Sequence, residues 1–130
     1  MPFNDEDLAE IDGAKTIRIE TWRPGGPVHK TPIWVVVDDG DVFIRSWRGA
    51  NARWFREARA NPDVAIHLGK GGKRRLPATA AHASDPDSVR RASEALERKY
   101  AGDPATPSMV RHEILDTTLR LEHRPEPEAD

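Results

Sequence analysis

The residues best suited to chemistry cluster between positions 18 and 62, where polar side chains interrupt β-patterned segments. Arg45, Ser46, Arg48 and Gly49 stand close together. Two guanidiniums, a hydroxyl and a glycine that lets backbone N–H groups approach closely would make a phosphate cradle ahead of a helix start. Solvent-facing arginines around a turn glycine account for the same residue types. Trp22, Trp34, Trp47 and Trp54 lie in or beside this stretch and offer flat faces that could wall a planar ligand. Trp34 sits in a continuous apolar run and reads more readily as core. Other chemistries lack their residues. The absence of cysteine removes disulfides, thiolate metal sites and cysteine nucleophiles. The histidines at 29, 67, 82, 112 and 123 share no i, i+4 helical spacing and read as surface or loop residues rather than a metal set. Ser46 has no nucleophile elbow around it, and Gly69-Lys70-Gly71-Gly72-Lys73-Arg74 lacks both the Walker spacing and a following Ser or Thr.

These residues need a scaffold, and the patterning supplies one. Asn4 precedes an acidic first turn and is expected to cap a helix that Gly13 ends, with Phe3 placed to staple onto Leu8. Residues 15–22 alternate, with Ile17, Ile19 and Thr21 opposite Thr16, Arg18, Glu20 and Trp22, which predicts a half-buried strand. A Pro- and Gly-rich turn follows at 23–27. The run at 28–37 is too apolar for one exposed face and predicts a central barrel strand buried on both sides. Asp39-Gly40 marks a hairpin before a third strand at 42–47. Asn51 is expected to cap a short helix carrying Trp54, Phe55 and Ala58, closed by Asn61-Pro62. Strands follow at 64–68 and 76–83, joined by a flexible basic loop. Asp85 caps a helix with Pro86 at its first position and Val89, Ala92, Leu96 and Tyr100 along one stripe. Leu115, Thr117, Leu119 and Leu121 predict a last strand, and the Pro- and Glu-rich stretch 124–130 a disordered acidic tail. The βαβ alternation of a doubly wound sheet is missing. The expected fold is α+β, mainly β: a six-stranded antiparallel barrel with two or three peripheral helices, a single domain over 1–123.

A chain of 130 residues fits one domain. On surface scaling it buries about two-thirds of the area exposed when unfolded, enough for a core without staples. The mean hydropathy of −0.71, the lack of a membrane-length apolar run and the acidic rather than basic start predict a cytoplasmic protein with no membrane partner. The net charge of −2 hides a partition: residues 1–12 carry five acids and no base, residues 13–75 carry 13 bases against six acids, and residues 76–130 carry seven against 11. The basic middle suits the phosphates of a cofactor or of a nucleic acid, and solvated arginines on a barrel exterior equally.

Taken in order, Thr31-Pro32-Ile33 in a strand, the Asp-Gly hairpin, Arg45-Ser46-Trp47-Arg48-Gly49, a helix with Trp54, and Ala60-Asn61-Pro62 before a strand resemble the split β-barrel flavin- and deazaflavin-binding superfamily. That superfamily includes pyridoxamine-phosphate-oxidase-like proteins and deazaflavin-dependent nitroreductases, and within it the chain looks most like a small bacterial family of unknown function. The resemblance covers most of the chain and implies where a coenzyme would lie. Basic residues before a Thr-Pro-hydrophobic triplet, and the triplet itself, point to His29, Lys30, Thr31, Pro32 and Ile33. The strand end and its glycine loop point to Arg45, Ser46, Arg48 and Gly49. Asn51 and Trp54 match the loop and helix start of the nitroreductase branch, although Phe55 stands where that branch carries tyrosine. The resemblance also implies a homodimer with the cofactor at the subunit interface.

The expected activity is that of an FMN- or deazaflavin-dependent oxidoreductase passing a hydride to a small organic acceptor, the electron chemistry residing in the cofactor. Lys30, Arg45 and Arg48 are expected to bind phosphate, Ser46 and Asn51 to hydrogen-bond the ribityl chain or phosphate, and Trp54 to flank the ring or substrate. No catalytic side chain and no metal ligand is singled out. Two other readings fit the residues. One is a non-catalytic ligand-binding barrel of the same fold. The other is a single-stranded nucleic-acid-binding barrel, which would use the basic middle and exposed tryptophans. Against the latter, the net charge is negative and the aromatics do not alternate with basic residues along one strand.

Overall fold

The structure, a computed structural model, describes residues 2–125. The predicted tail lies outside the described residues from 126 onward. Arg124, at its start, is tied down: its backbone N–H donates to the Pro77 carbonyl at 3.0 Å and its guanidinium reaches the Val64 carbonyl at 3.3 Å.

Seven antiparallel strands form one sheet. They are β1 (Ile17–Thr21), β2 (His29–Ile33), β3 (Val36–Asp38), β4 (Asp41–Ile44), β5 (Asp63–Leu68), β6 (Arg74–His82) and β7 (Leu119–His123). Their order across the sheet is β2-β1-β5-β6-β7-β4-β3. Strands β2 and β3 are consecutive in the chain yet occupy opposite ends of that order. Only Trp34 and Val35 separate them, so the two edges must approach each other and the sheet curls into a split barrel. This corrects the expectation of six strands and of a central strand over 28–37. That stretch is two edge strands, and β2 is largely uncovered, with Ile33 its one buried residue. Pro32, opposite Arg18 in the β1–β2 register, has no N–H to donate and is tolerated because the outer side of β2 is unpaired.

The hairpin between β3 and β4 turns at Asp39 and Gly40, both with positive φ, as the residue types require. Across it Val36 pairs with Phe43 and Val37 with Val42. Val35, Val42 and Ile44 enter the barrel core with Ile19, Val64, Ile66 and Leu119. Val36 and Phe43 join an outer core beneath the long helix, with Ala92, Leu96, Tyr100 and Ile114.

Four α-helices cover this frame: α1 (Asp5–Gly13), α2 (Arg53–Ala60), α3 (Pro86–Lys99) and α4 (Thr106–Met109). Asn4 accepts from the Asp7 N–H at 2.8 Å and Asp85 from the Ser88 N–H at 3.0 Å, so both predicted caps are made. Asn51 is not a cap. It is exposed in a 3₁₀ turn, Gly49–Asn51, and Ala52 takes the cap position without a side-chain bond. Leu115 and Thr117 are likewise not in a strand. They belong to a 3₁₀ turn, His112–Thr117, in which the Thr117 and Thr118 hydroxyls donate back to the carbonyls of Ile114 and Leu115, each at 2.7 Å, a local alternative to the ladder.

Candidate functional site

Where the split edges, α2 and α4 converge, a cavity of about 410 Å³ opens to the surface, within the range of small-ligand pockets. Of the residues singled out from the sequence, Thr31, Pro32, Ile33, Arg45, Arg48 and Trp54 line it. Trp34 and Trp47 complete its aromatic wall. Trp34 is held flat by Tyr100, the rings 3.8 Å apart and 6° from parallel. Burial pushes the Tyr100 phenol up to about 12, and its hydroxyl donates to the Lys15 carbonyl at 2.6 Å. Trp47 is 53% exposed and forms the mouth of the cavity. Arg48 is exposed beside it and has no hydrogen-bond or ion-pair partner among the described residues.

The remaining expected residues are deployed differently. Lys30 is exposed on β2 and is not part of the lining. Ser46 is buried, and its hydroxyl donates to the Gly49 carbonyl at 2.6 Å while its N–H donates to Thr117 Oγ1 at 3.1 Å. Gly49 has φ +74° and closes this turn from beneath. Arg45 is 2% exposed. Its guanidinium donates to Thr118 Oγ1, Ser93 Oγ and the Met109 carbonyl, each at 2.9 Å, and to the Val89 carbonyl at 3.2 Å. Burial pushes it down to about 10, still charged at neutral pH. The expected phosphate cradle is thus mostly consumed by the fold: Arg45 and Ser46 spend their donors within the chain, Asn51 is on the outside, and Arg48 is the lining cation with donors to offer.

Two polar clusters were not anticipated. Glu57, on the buried face of α2, lies against Thr21 and His29. A signal for it exists, since Glu57 interrupts the apolar stripe of Trp54 and Ala58 at helical spacing. On the other side of β1, Glu20 accepts from His67 Nε2 at 2.7 Å and from Arg75 at 2.9 Å. Burial would raise the Glu20 carboxyl, but those bonds and charges outweigh it and hold it below its ordinary value. Among the described residues no group of His, Asp and Glu has the makings of a metal site. No helix there is long and apolar enough to cross a membrane.

The sequence matches, over residues 7–121, the model of a family described as uncharacterized protein conserved in bacteria (DUF2255). No functionally curated protein matches it. Solved structures similar to this one include a candidate pyridoxamine 5′-phosphate oxidase from Listeria innocua, with TM-score 0.62 and 17% identity over 95% of this chain and 93% of that one. A candidate 5-nitroimidazole antibiotic resistance protein from Bacteroides thetaiotaomicron has TM-score 0.68 and 13% identity, covering 96% and 83%. HutZ, the heme storage protein from Vibrio cholerae, has TM-score 0.61 and 16% identity, covering 98% and 93%. The chain spans about half the length of two others, 51% of Campylobacter jejuni ChuZ and 54% of a protein of unknown function from Agrobacterium tumefaciens. At these identities the likeness is one of fold: the split barrel expected from the sequence.

Proposed function

The chain belongs to the bacterial family DUF2255, and from that premise we propose that its cavity holds a flat phosphorylated redox cofactor, FMN or a deazaflavin coenzyme, and serves reduction of a small organic acceptor. The observation that carries this reading is the cavity wall: three indoles, Trp34, Trp47 and Trp54, with the uncommitted guanidinium of Arg48 beside them. Flat aromatic faces suit a tricyclic ring, and an exposed arginine at the mouth suits a phosphate. When bound in its reduced form, the cofactor supplies a hydride, two electrons with one hydrogen nucleus, and is oxidised; the acceptor then needs one proton. Trp34, locked against Tyr100, orients the ring without moving, which limits the entropy lost on binding. The fold relatives assigned to pyridoxamine phosphate oxidation and to nitroimidazole resistance support the reading by analogy.

The reading includes a second copy of the chain. Trp47 and Arg48 stand at an open mouth, and a homodimer would cover the cofactor there. The test is titration of the purified protein with FMN and, separately, with the deazaflavin coenzyme, alongside light scattering. Micromolar binding is expected, weakened roughly tenfold by Arg48→Ala, the scale of one charge-assisted hydrogen bond, in a particle of twice 14.6 kDa. A second reading is a non-catalytic ligand-binding barrel. It is favoured by the engagement of Arg45 and Ser46 inside the chain and by the fold's use in a heme storage protein. A folded protein that binds neither coenzyme would move the conclusion there.

A further inference from the structure

The charges of α2 are arranged unlike those of α3. Each arginine of α3 meets an acid: Arg90 pairs with Asp87 and Glu94, Arg91 with Asp38 and Asp41, and Arg98 with Asp38. On α2, Arg53, Arg56 and Arg59 are all exposed and make no hydrogen bond or ion pair among the described residues. Spaced three apart, they stand on successive turns of the outward face. The one acid of the helix, Glu57, is turned inward onto Thr21 and His29. Of the three arginines, only Arg53 acts on it through its charge.

Folding gains little from this arrangement. Like charges one turn apart on a helix repel each other. Arg59 complements the negative C-terminal end, but Arg53 stands in the first turn, where the backbone is already positive. The helices α1 and α3 each open on a capping side chain and acids in the first turn, whereas α2 opens on Ala52 with neither. Its position gives the charge something to act on. Ala52 and Trp54 line the cavity, and no residue of α2 beyond Trp54 does, so the helix starts at the cavity and leads away from it. Arg48 stands at the mouth. From there Arg53, Arg56 and Arg59 continue the positive charge for about 9 Å along the helix axis.

Resting on the cofactor reading above, we propose that the outward face of α2 is a second subsite, which holds a multiply charged anionic tail on the ligand whose ring fills the cavity. A single phosphate at the mouth is answered by Arg48 alone and leaves the three guanidiniums of α2 without a counter-charge. A tail of repeated carboxylates or phosphates meets them in turn, each guanidinium offering a planar fork of donors to an oxyanion. Such a tail also relieves the repulsion between the arginines, so part of its affinity comes from strain already present in the free protein. The choice between the two coenzymes follows. FMN ends in one phosphate, whereas the deazaflavin coenzyme continues through a phosphodiester into a run of glutamate carboxylates, and the charge on α2 favours the second.

The experiment titrates the full chain with FMN, with the deazaflavin coenzyme bearing a tail of several glutamates, and with the same coenzyme cut back to its phosphodiester. The wild type is expected to bind the long-tailed form roughly tenfold more tightly than the shortened one, the scale of two solvent-screened ion pairs. That margin should vanish as salt rises from about 0.05 to about 0.5 M. The double variant Arg56→Gln, Arg59→Gln, which keeps good helix formers on an exposed face, should erase the margin while leaving FMN and the shortened coenzyme within about twofold of the wild type. Should that variant fail to fold, the comparison of tail lengths on the wild type decides by itself. Equal affinity for the long and short tails, FMN binding with no affinity for either deazaflavin form, or a double variant that weakens every ligand alike would overturn the proposal. The arginines would then be a solvated face, and the cofactor reading would stand. A folded wild type that binds none of the ligands would overturn both.

Discussion

Arg45 joins three separate segments through one guanidinium: Val89 and Ser93 on α3, Met109 at the end of α4, and Thr118 at the entrance to β7. Among the described residues no carboxylate pairs with it, and burial lowers it from the ordinary guanidinium value to about 10. The folded chain thus holds this proton less tightly than the unfolded chain. The buried charge opposes folding throughout the range below about pH 10, and the penalty is relieved only as pH rises from there toward the ordinary guanidinium value. What Arg45 contributes is its set of hydrogen bonds, which ties α3, the end of α4 and the entrance to β7 together. Arg45→Ala is therefore expected to lower stability by about 3 kcal/mol or more in urea denaturation, the scale for breaking a buried charged network. Arg45→Lys should recover only part of it, because an ammonium cannot span four acceptors in a planar fork. Near-native stability in Arg45→Ala, together with lost FMN affinity, would return this residue to the binding site.

At the next scale, the turn between β4 and α2 decides where Trp47 and Arg48 stand. The Ser46 carbonyl accepts from the Gly49 N–H at 3.0 Å, the Ser46 hydroxyl donates to the Gly49 carbonyl, and Arg111 donates to the Trp47 carbonyl at 2.6 Å. A Cβ on Gly49 would meet Ile114 Cγ2 at 3.6 Å, an ordinary contact. The constraint is therefore the positive φ rather than space. Gly49→Ala should cost roughly 1–2 kcal/mol, the price of a left-handed L-residue, and should weaken FMN binding by displacing the cavity mouth. Thermal melts with and without FMN check both effects. Such turns were legible in the sequence where the signal is local. Asn4, Asp85-Pro86 and Asp39-Gly40 announced their elements because caps and tight turns are set by residues a few positions apart. The division at Trp34-Val35 was not legible, because β2 and β3 each look like continuous strand and differ only in their distant partners. The same holds for the site. Thr31, Pro32 and Ile33 were pointed to by the family resemblance, Arg48 and Trp54 by residue type as well, and all five line the cavity. The commitment of Arg45 and Ser46 depends on Met109, Thr117 and Thr118, more than 60 positions away.

Across the whole molecule, ion pairs join the three segments of unlike charge seen along the chain. The acidic first segment meets the basic loop where Arg74 pairs with Asp7 and Glu10. Asp38 and Asp41 of the central segment are taken by Arg91 at 2.7 and 2.9 Å, and Arg98 adds a second bond to Asp38. Of the bases in the central segment, Lys15 pairs with Asp103, Arg74 with the acidic first segment and Arg75 with Glu20. The buried and half-buried pairs also set the response to acid. Arg91, against some burial and with help from Arg98, lowers Asp38 from an ordinary 3.8. Glu20 and Glu57, despite burial, are lowered from an ordinary 4.5 by their hydrogen-bond donors. Each carboxylate binds its proton less readily in the folded than in the unfolded chain. Its contribution is therefore complete above those ordinary values and is lost as pH falls through the lowered ones. The melting temperature is expected to be level from about pH 7 to 5 and to fall steeply below about 4.5. Glu20→Gln should start lower and fall less, since the variant has already given up one of the titrating pairs. Exposed pairs such as Arg90 with Asp87 and Glu94 should leave no mark on this curve, because solvent screens them. A wild type and a Glu20→Gln variant with parallel acid limbs would mean that the Glu20–His67–Arg75 cluster does not stabilise the barrel, and that the buried carboxylate there must be explained by something other than folding.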